Sequence, residues 1–129
     1  MRINASVLVV DDEPILRDIL TRIVGRAGYS VASAVDGLDA LEKLKSARFD
    51  FVISDVKMPN MDGLKLLGEI KSSYPGTSVI LITGKMAGFR LEDALEAGAD
   101  HFITKPFKNV EIARILLLLH SRRQRQKPR

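Results

Sequence analysis

The sequence contains no cysteine. That excludes disulfides and thiolate metal centres and fits a reducing compartment. No apolar run approaches the length of a membrane span, and residues 1–5 show no signal-peptide pattern, so the expected location is the cytoplasm. Acid is missing from one stretch. Residues 122–129 hold Arg122, Arg123, Arg125, Lys127 and Arg129 and no Asp or Glu. Taking those five from the 20 Lys and Arg leaves 15 against 16 Asp and Glu, so the rest of the chain is near neutral and the net charge of +4 belongs to its end. The basic end, 121–129, reads as a solvated tail or the start of a linker, following a single body over 1–120. No aromatic or motif context accompanies its charge, so direct nucleic-acid binding is not expected. Neither an internal repeat nor an internal linker is visible. A chain of 129 residues, 46% hydrophobic and 28% charged, is one globular domain able to bury its own core.

What is present is a regular alternation. Ser6 to Val10 is an apolar, β-branched strand, followed at once by Asp11, Asp12 and Glu13. Pro14 suits the first position of a helix, and Ile15, Leu16, Ile19, Leu20, Ile23 and Val24 form its apolar stripe. Gly28 is placed to end it. Ser30 to Ala34 is a second strand, and Asp36 caps a helix with Leu38, Leu41 and Leu44 on its apolar face. Phe51 to Asp55 is the most apolar strand and ends on a carboxylate; Met58 and Pro59 then turn the chain. Asp62 caps a helix carrying Leu64, Leu67 and Ile70, stopped by Pro75 and Gly76. Ser78 to Ile82 is a strand ending at Thr83 and Gly84. Leu91 to Ala97 is a short helix closed by Gly98. His101 to Thr104 is the fifth strand, followed by Lys105, Pro106 and Phe107. Asn109 caps a last helix, predicted through about His120.

Five strands alternating with five helices predict an α/β fold: a doubly wound, five-stranded parallel sheet with helices on both faces. The flavodoxin-like order 2-1-3-4-5 sets strands one and three side by side. Asp11, Asp12 and Asp55 then converge at one edge, where such sheets do their chemistry. Three uncompensated carboxylates repel, and a divalent cation resolves the conflict; oxygen ligands suit Mg²⁺. Thr83 and Lys105 end neighbouring strands, where a hydroxyl and an ammonium reach the oxygens of a phosphoryl group on Asp55. Each residue alone has an ordinary structural explanation, as a cap, a turn or a surface charge. Together they occupy the ends of four strands.

These segments carry a family resemblance. Val9-Val10-Asp11-Asp12-Glu13, Asp55 with Met58-Pro59 and Asp62-Gly63, Thr83-Gly84, and Lys105-Pro106-Phe107 resemble the receiver domain of two-component response regulators, from Val7 to about Leu119. The resemblance implies that Asp55 is the phosphoacceptor. It implies Mg²⁺ held by Asp12, Asp55 and the backbone carbonyl of Lys57, with Asp11 acting mainly through water. Thr83 would be the switch hydroxyl and Phe102 the switch aromatic. Lys105 would contact the phosphoryl group, with a cis bond to Pro106. The implied donor is the phosphohistidine of a sensor histidine kinase or phosphotransfer protein. Such a domain is a signalling module that assists its own phosphotransfer and dephosphorylation, not an enzyme. Lys57 and Lys85 would border the path of the attacking water and lengthen the phosphoryl lifetime. Nucleic acid would be reached only through an output domain that this sequence does not contain.

Three other readings are weaker. A phosphohydrolase would want an acid two residues after the nucleophile, where Lys57 stands. A flavodoxin-like cofactor site would want a hydroxyl- or glycine-rich loop after strand one, where Asp11, Asp12 and Glu13 repel phosphate. A docking module that is never phosphorylated would not need the full set of chemical residues. His101 and His120 have no second metal ligand at sensible spacing. At 100° per residue from Ile112, Ile115, Leu116 and Leu119 share the core side of the last helix, while Leu117 and Leu118 fall on the far side. Those two leucines are expected at the surface, as a homodimer or effector contact.

Overall fold

The computed structural model describes residues 2–84 and 91–126, apart from the side chain of Leu91. Among the described residues five strands alternate with five helices: β1 (Ser6–Val10), α1 (Pro14–Arg26), β2 (Ser30–Ala34), α2 (Gly37–Ser46), β3 (Phe51–Asp55), α3 (Gly63–Ser73), β4 (Ser78–Gly84), α4 (Leu91–Glu96), β5 (His101–Lys105) and α5 (Asn109–Gln126). All strand pairs are parallel and the order is β2-β1-β3-β4-β5, as expected.

Period-two alternation splits the strands between two cores. Val7, Val9, Phe51, Ile53, Ile80, Ile82 and Ile103 face α1 and α5, where Leu20, Ile23, Val24, Ile112, Leu116 and Leu119 meet them. Leu8, Val10, Val52, Val79 and Leu81 face the other way, onto Ala40 and Leu44 of α2, Leu66, Leu67 and Ile70 of α3, and Ala94 of α4. Each fully buried large apolar side chain stabilises the fold by roughly 1.5–3 kcal/mol. With both faces covered, β3 is buried along its whole length, including its terminal Asp55.

The helices depart from expectation in which residues they bury. Ile15 and Ile19 are exposed. At 100° per residue Leu16, Leu20, Ile23 and Val24 share an arc of about 100°, with Ile19 and Ile15 roughly 40° and 80° beyond it. The sheet covers only that arc. Leu38 is exposed and α2 is seated through Ala40 and Leu44 instead, while Leu64 is half-buried and Leu66 takes the deeper place in α3. The caps at Asp36 and Asp62 are as expected: their carboxylates accept from the Asp39 and Lys65 N–H groups at 2.8 Å each. Gly28 follows α1 at φ 105° and Gly98 follows α4 at φ 99°, the left-handed region that glycine enters freely.

The last helix differs at both ends. Asn109 is its first residue rather than its cap, and the Lys108 N–H donates to the Glu111 carboxylate at 2.9 Å, one half of a capping box. The helix also runs six residues past His120, to Gln126. Arg123 does not extend into solvent. Its Nη1 donates to the Gly76 carbonyl (2.6 Å) and Ser78 Oγ (3.1 Å), its Nη2 pairs with Asp50 (3.3 Å), and its guanidinium lies 5.3 Å from the centre of the Phe51 ring. His120 packs edge-on against Tyr29 and Phe51, an aromatic contact in the body of the domain.

Candidate functional site

Register brings the acids together. Val10 of β1 pairs with Ser54 of β3, so the next residues, Asp11 and Asp55, leave the sheet side by side. Asp11, Asp12 and Asp55 each offer a carboxylate oxygen, and the three oxygens lie within 4.8 Å of one another. Among the described residues no other group of three His, Cys, Asp or Glu side chains has this spacing. Asp11 is 1% exposed and Asp55 7%, whereas Asp12 is exposed. The Glu13 N–H donates to Asp11 Oδ1 at 2.9 Å, and the Lys57 N–H reaches Asp55 Oδ1 at 3.3 Å.

The longer strands add two further groups. Both β4 and β5 run past the expected ends, and Thr83 pairs with Thr104 and Gly84 with Lys105. Thr83 is buried, and among the described residues its hydroxyl makes one long contact, 3.5 Å, to the Gly84 carbonyl. Lys105 Nζ lies 2.8 Å from Asp55 Oδ2, an ion pair with its acid end buried. The Lys105–Pro106 bond is cis, as the resemblance implied. Phe102 is half-buried on β5 and packs against the second core. Asp12, Glu13, Asp55, Lys57, Thr83, Gly84 and Lys105 line a depression of about 300 Å³. The larger groove between α1 and α5, about 450 Å³, is lined by Ile19, Ile23, Val110 and two arginines and by no acid. Lys85 lies outside the described residues.

Burial pushes the Asp11 carboxyl up to about 6. The charges of Asp55 and Asp12 add to that rise, while the Glu13 hydrogen bond and Lys105 work against it. Burial pulls the Lys105 ammonium down, but its bond to Asp55 and the charges of Asp55, Asp11 and Glu13 outweigh it, and its pKa ends above the usual lysine value. The cluster therefore holds more negative charge than Lys105 alone balances. Its donors are hard carboxylate oxygens, two of them buried (Asp11 and Asp55) and one exposed to solvent (Asp12), which suits a small, partly hydrated divalent cation.

Two supports were not singled out in the sequence. Gly63 approaches the strand end so closely that a Cβ there would sit 2.3 Å from the Asp55 carbonyl oxygen. The Asp62-Gly63 pair was visible, but not this reason for it. Arg17 Nη1 donates to the Asp11 carbonyl at 2.8 Å. Only its place one turn into α1, on the side of β1, hints at that role.

The comparisons agree with this geometry. The family described as response regulator receiver domain matches residues 7–117. The sensor histidine kinase RcsC of Escherichia coli is 38% identical over 123 residues, covering 95% of this chain and 13% of RcsC. The response regulator MprA of Mycobacterium bovis is 36% identical over 117 residues, covering 90% of this chain and 51% of MprA. The chain thus spans about half, or less, of the length of these curated relatives. A crystal structure of a CheY-like response regulator receiver domain protein from Methanospirillum hungatei superposes with a TM-score of 0.87 at 28% identity, covering 95% of this chain and 98% of that one. Phosphorylation is the general function of such domains, which are signalling modules rather than classical enzymes. With its sheet order, its strand-end acids and this match over most of its length, the chain belongs to the response regulator receiver domain family.

Proposed function

We propose that Asp55 is the phosphoacceptor of this receiver domain and that it takes its phosphoryl group from the phosphohistidine of a sensor histidine kinase or phosphotransfer protein. The observation that carries this reading is the meeting of three groups on one buried side chain. Lys105 Nζ sits 2.8 Å from Asp55 Oδ2, and the carboxylates of Asp11 and Asp12 share its space. An Asp55 oxygen attacks phosphorus, the N–P bond of the donor breaks with its electron pair returning to the imidazole, and an acyl phosphate forms. Mg²⁺ is the cation that fits the acid cluster, with Asp12, Asp55 and the Lys57 carbonyl as ligands and Asp11 acting through water. Bound there, it supplies positive charge against the phosphoryl oxygens.

The remaining groups have parts that their positions support. Lys105 exchanges its bond to Asp55 for one to a phosphoryl oxygen. The Thr83 hydroxyl, whose contact to the Gly84 carbonyl is a long 3.5 Å, turns to another. Phe102 follows as the switch aromatic, through a shift between two pre-existing states. Lys57 lines the depression and crowds the water that would hydrolyse the acyl phosphate, so the domain tunes its own dephosphorylation as well as assisting its phosphorylation. The receiver body extends past 120 to take in the whole of its last helix, to Gln126, because Arg123 ties that stretch to Gly76, Ser78 and Asp50. No described helix is long and apolar enough to cross a membrane, and the cytoplasm is the setting that suits a kinase partner. A homodimer or effector contact uses Leu117 and Leu118. Nucleic acid is engaged only through an output domain.

Incubation with acetyl phosphate or phosphoramidate and Mg²⁺ is expected to add one phosphoryl group to the intact mass. Asp55→Asn and EDTA each abolish it. Normal labelling of the Asp55→Asn protein would overturn the assignment.

A further inference from the structure

We propose that the Asp36–Asn60 hydrogen bond is a positioning clasp for the metal site, holding the loop after Asp55 in the form that offers the Lys57 backbone to a divalent cation. This rests on the reading of the site given above. The loop 56–62 is fixed at its two ends by the sheet and by α3. The Val56 N–H donates to the Ile82 carbonyl at 3.0 Å, and the Gly63 N–H donates to the Val56 carbonyl at 2.8 Å. Between those ends the chain has to turn back on itself, and there Asn60 stands at φ 69°. That is the left-handed region, which asparagine tolerates better than most residues with a side chain.

The apex of this turn is tied to a different part of the fold. Asn60 Nδ2 donates to Asp36 Oδ2 at 2.9 Å, while Asp36 Oδ1 accepts the Asp39 N–H at 2.8 Å and caps α2. One carboxylate thus closes a helix and holds a loop 24 residues away in sequence. Its charge strengthens both bonds. Beside it the loop packs tightly on the same helix turn: a Cβ at Gly37 would lie 2.8 Å from Met61 Cβ. The ends of β1 and β3, with Asp11, Asp12 and Asp55, lie alongside this bridge from β2–α2 to the loop after β3. Neither Asp36 nor Asn60 lines the depression. They act through the loop, and the part of the loop that matters is Lys57, whose N–H already reaches Asp55 Oδ1 at 3.3 Å.

Asn60→Asp separates the clasp from simple charge. It keeps the size of the side chain and its tolerance of the left-handed backbone, but removes the donor and sets two carboxylates against each other. The added negative charge by itself tightens cation binding, whereas loss of the clasp weakens it, so the sign of the change decides. In calorimetric titration with MgCl₂ and no phosphodonor, Asn60→Asp is expected to weaken binding about three- to tenfold. The double variant Asp36→Asn/Asn60→Asp exchanges donor and acceptor and is expected to return to within about twofold of the parent. Asp36→Asn alone keeps the cap and still pairs once the Asn60 amide turns over, and it too stays near the parent. Asp55→Asn tests the underlying reading: if it binds Mg²⁺ as tightly as the parent, the metal site itself is wrong. If Asp55→Asn loses binding while Asn60→Asp binds as well as the parent or better, the site stands and the clasp is overturned. Failure of the double variant to recover overturns the clasp as well.

Discussion

Asp11 shows what a buried carboxylate costs when its neighbours only partly compensate it. It is 1% exposed, and burial together with Asp55 holds its pKa up at about 6 against 3.8 for the free group. Between those values the folded state binds more protons than the unfolded one, so stability falls as pH rises from about 4 to about 6 and stays lower above that. At 1.36 kcal/mol per pH unit the penalty is on the order of 2–3 kcal/mol in the metal-free protein. A cation on the cluster favours the ionised form and offsets it. Asp11→Asn keeps the acceptor for the Glu13 N–H and removes the charge. In EDTA at pH 7.5 it is expected to melt higher than the parent. The advantage should shrink as pH approaches 4, and added Mg²⁺ should raise the parent's melting temperature more than the variant's. Equal melting temperatures at pH 7.5 in EDTA would mean that the buried charge is not what limits stability there.

Elements differ in how plainly the sequence announces them. The strands were legible because a parallel sheet covered on both faces needs nearly unbroken apolar runs, and Val7–Val10, Phe51–Ile53 and Val79–Ile82 are such runs. Asp11, Asp55 and Thr83 were legible for the same reason, since each stands where such a run stops, whereas Lys105 ends a more polar strand and was legible from its place beside Pro106 and Phe107. Helix faces were less legible. Ile15 and Leu38 have the right residue type and roughly the right spacing, but whether a helix edge is covered depends on its tilt against the sheet, which spacing does not encode. The Asp36–Asn60 contact was hidden because it joins loops distant in sequence. The end of α5 did carry a signal: Ser121 to Gln126 has neither Gly nor Pro, and Arg and Gln are good helix formers. What fixes that end is Arg123, with Gly76, Ser78, Asp50 and the Phe51 ring. Arg123→Ala is expected to cost about 1–2 kcal/mol and to speed amide hydrogen exchange over 121–126. Arg123→Lys should recover little, because an ammonium cannot fork between carbonyl and carboxylate while lying over a ring. Unchanged exchange in Arg123→Ala would show that the extension holds by helix propensity alone.

At the scale of the molecule, β5 and α5 form the face that runs from the site to the proposed contact surface. Lys105 ends β5, and Phe102 lies three residues before it on the same strand. Next to them a shallow groove is lined by His101, Thr104, Glu111, Arg114 and Ile115. Leu117 is 55% exposed and Leu118 42%, on the side of α5 away from Ile112, Leu116 and Leu119. The core needs neither of them. Burying a pair of leucines contributes roughly 3–6 kcal/mol before the cost of association, which is itself about 4–15 kcal/mol. Two leucines alone therefore make at most a weak contact, and small changes in the surrounding groove decide whether it forms. That is the behaviour a phosphorylation-controlled contact requires, because a modest shift between states moves a marginal equilibrium across its midpoint. Sedimentation at high concentration, with and without a phosphoryl mimic, is expected to find a dimer favoured by the mimic in the parent, and Leu117→Ser/Leu118→Ser to stay monomeric. The double variant should melt within about 1 kcal/mol of the parent, since exposed positions contribute little to the fold. A parent that remains monomeric in both states leaves these leucines to an effector, and a double variant that still dimerises moves the contact to another face.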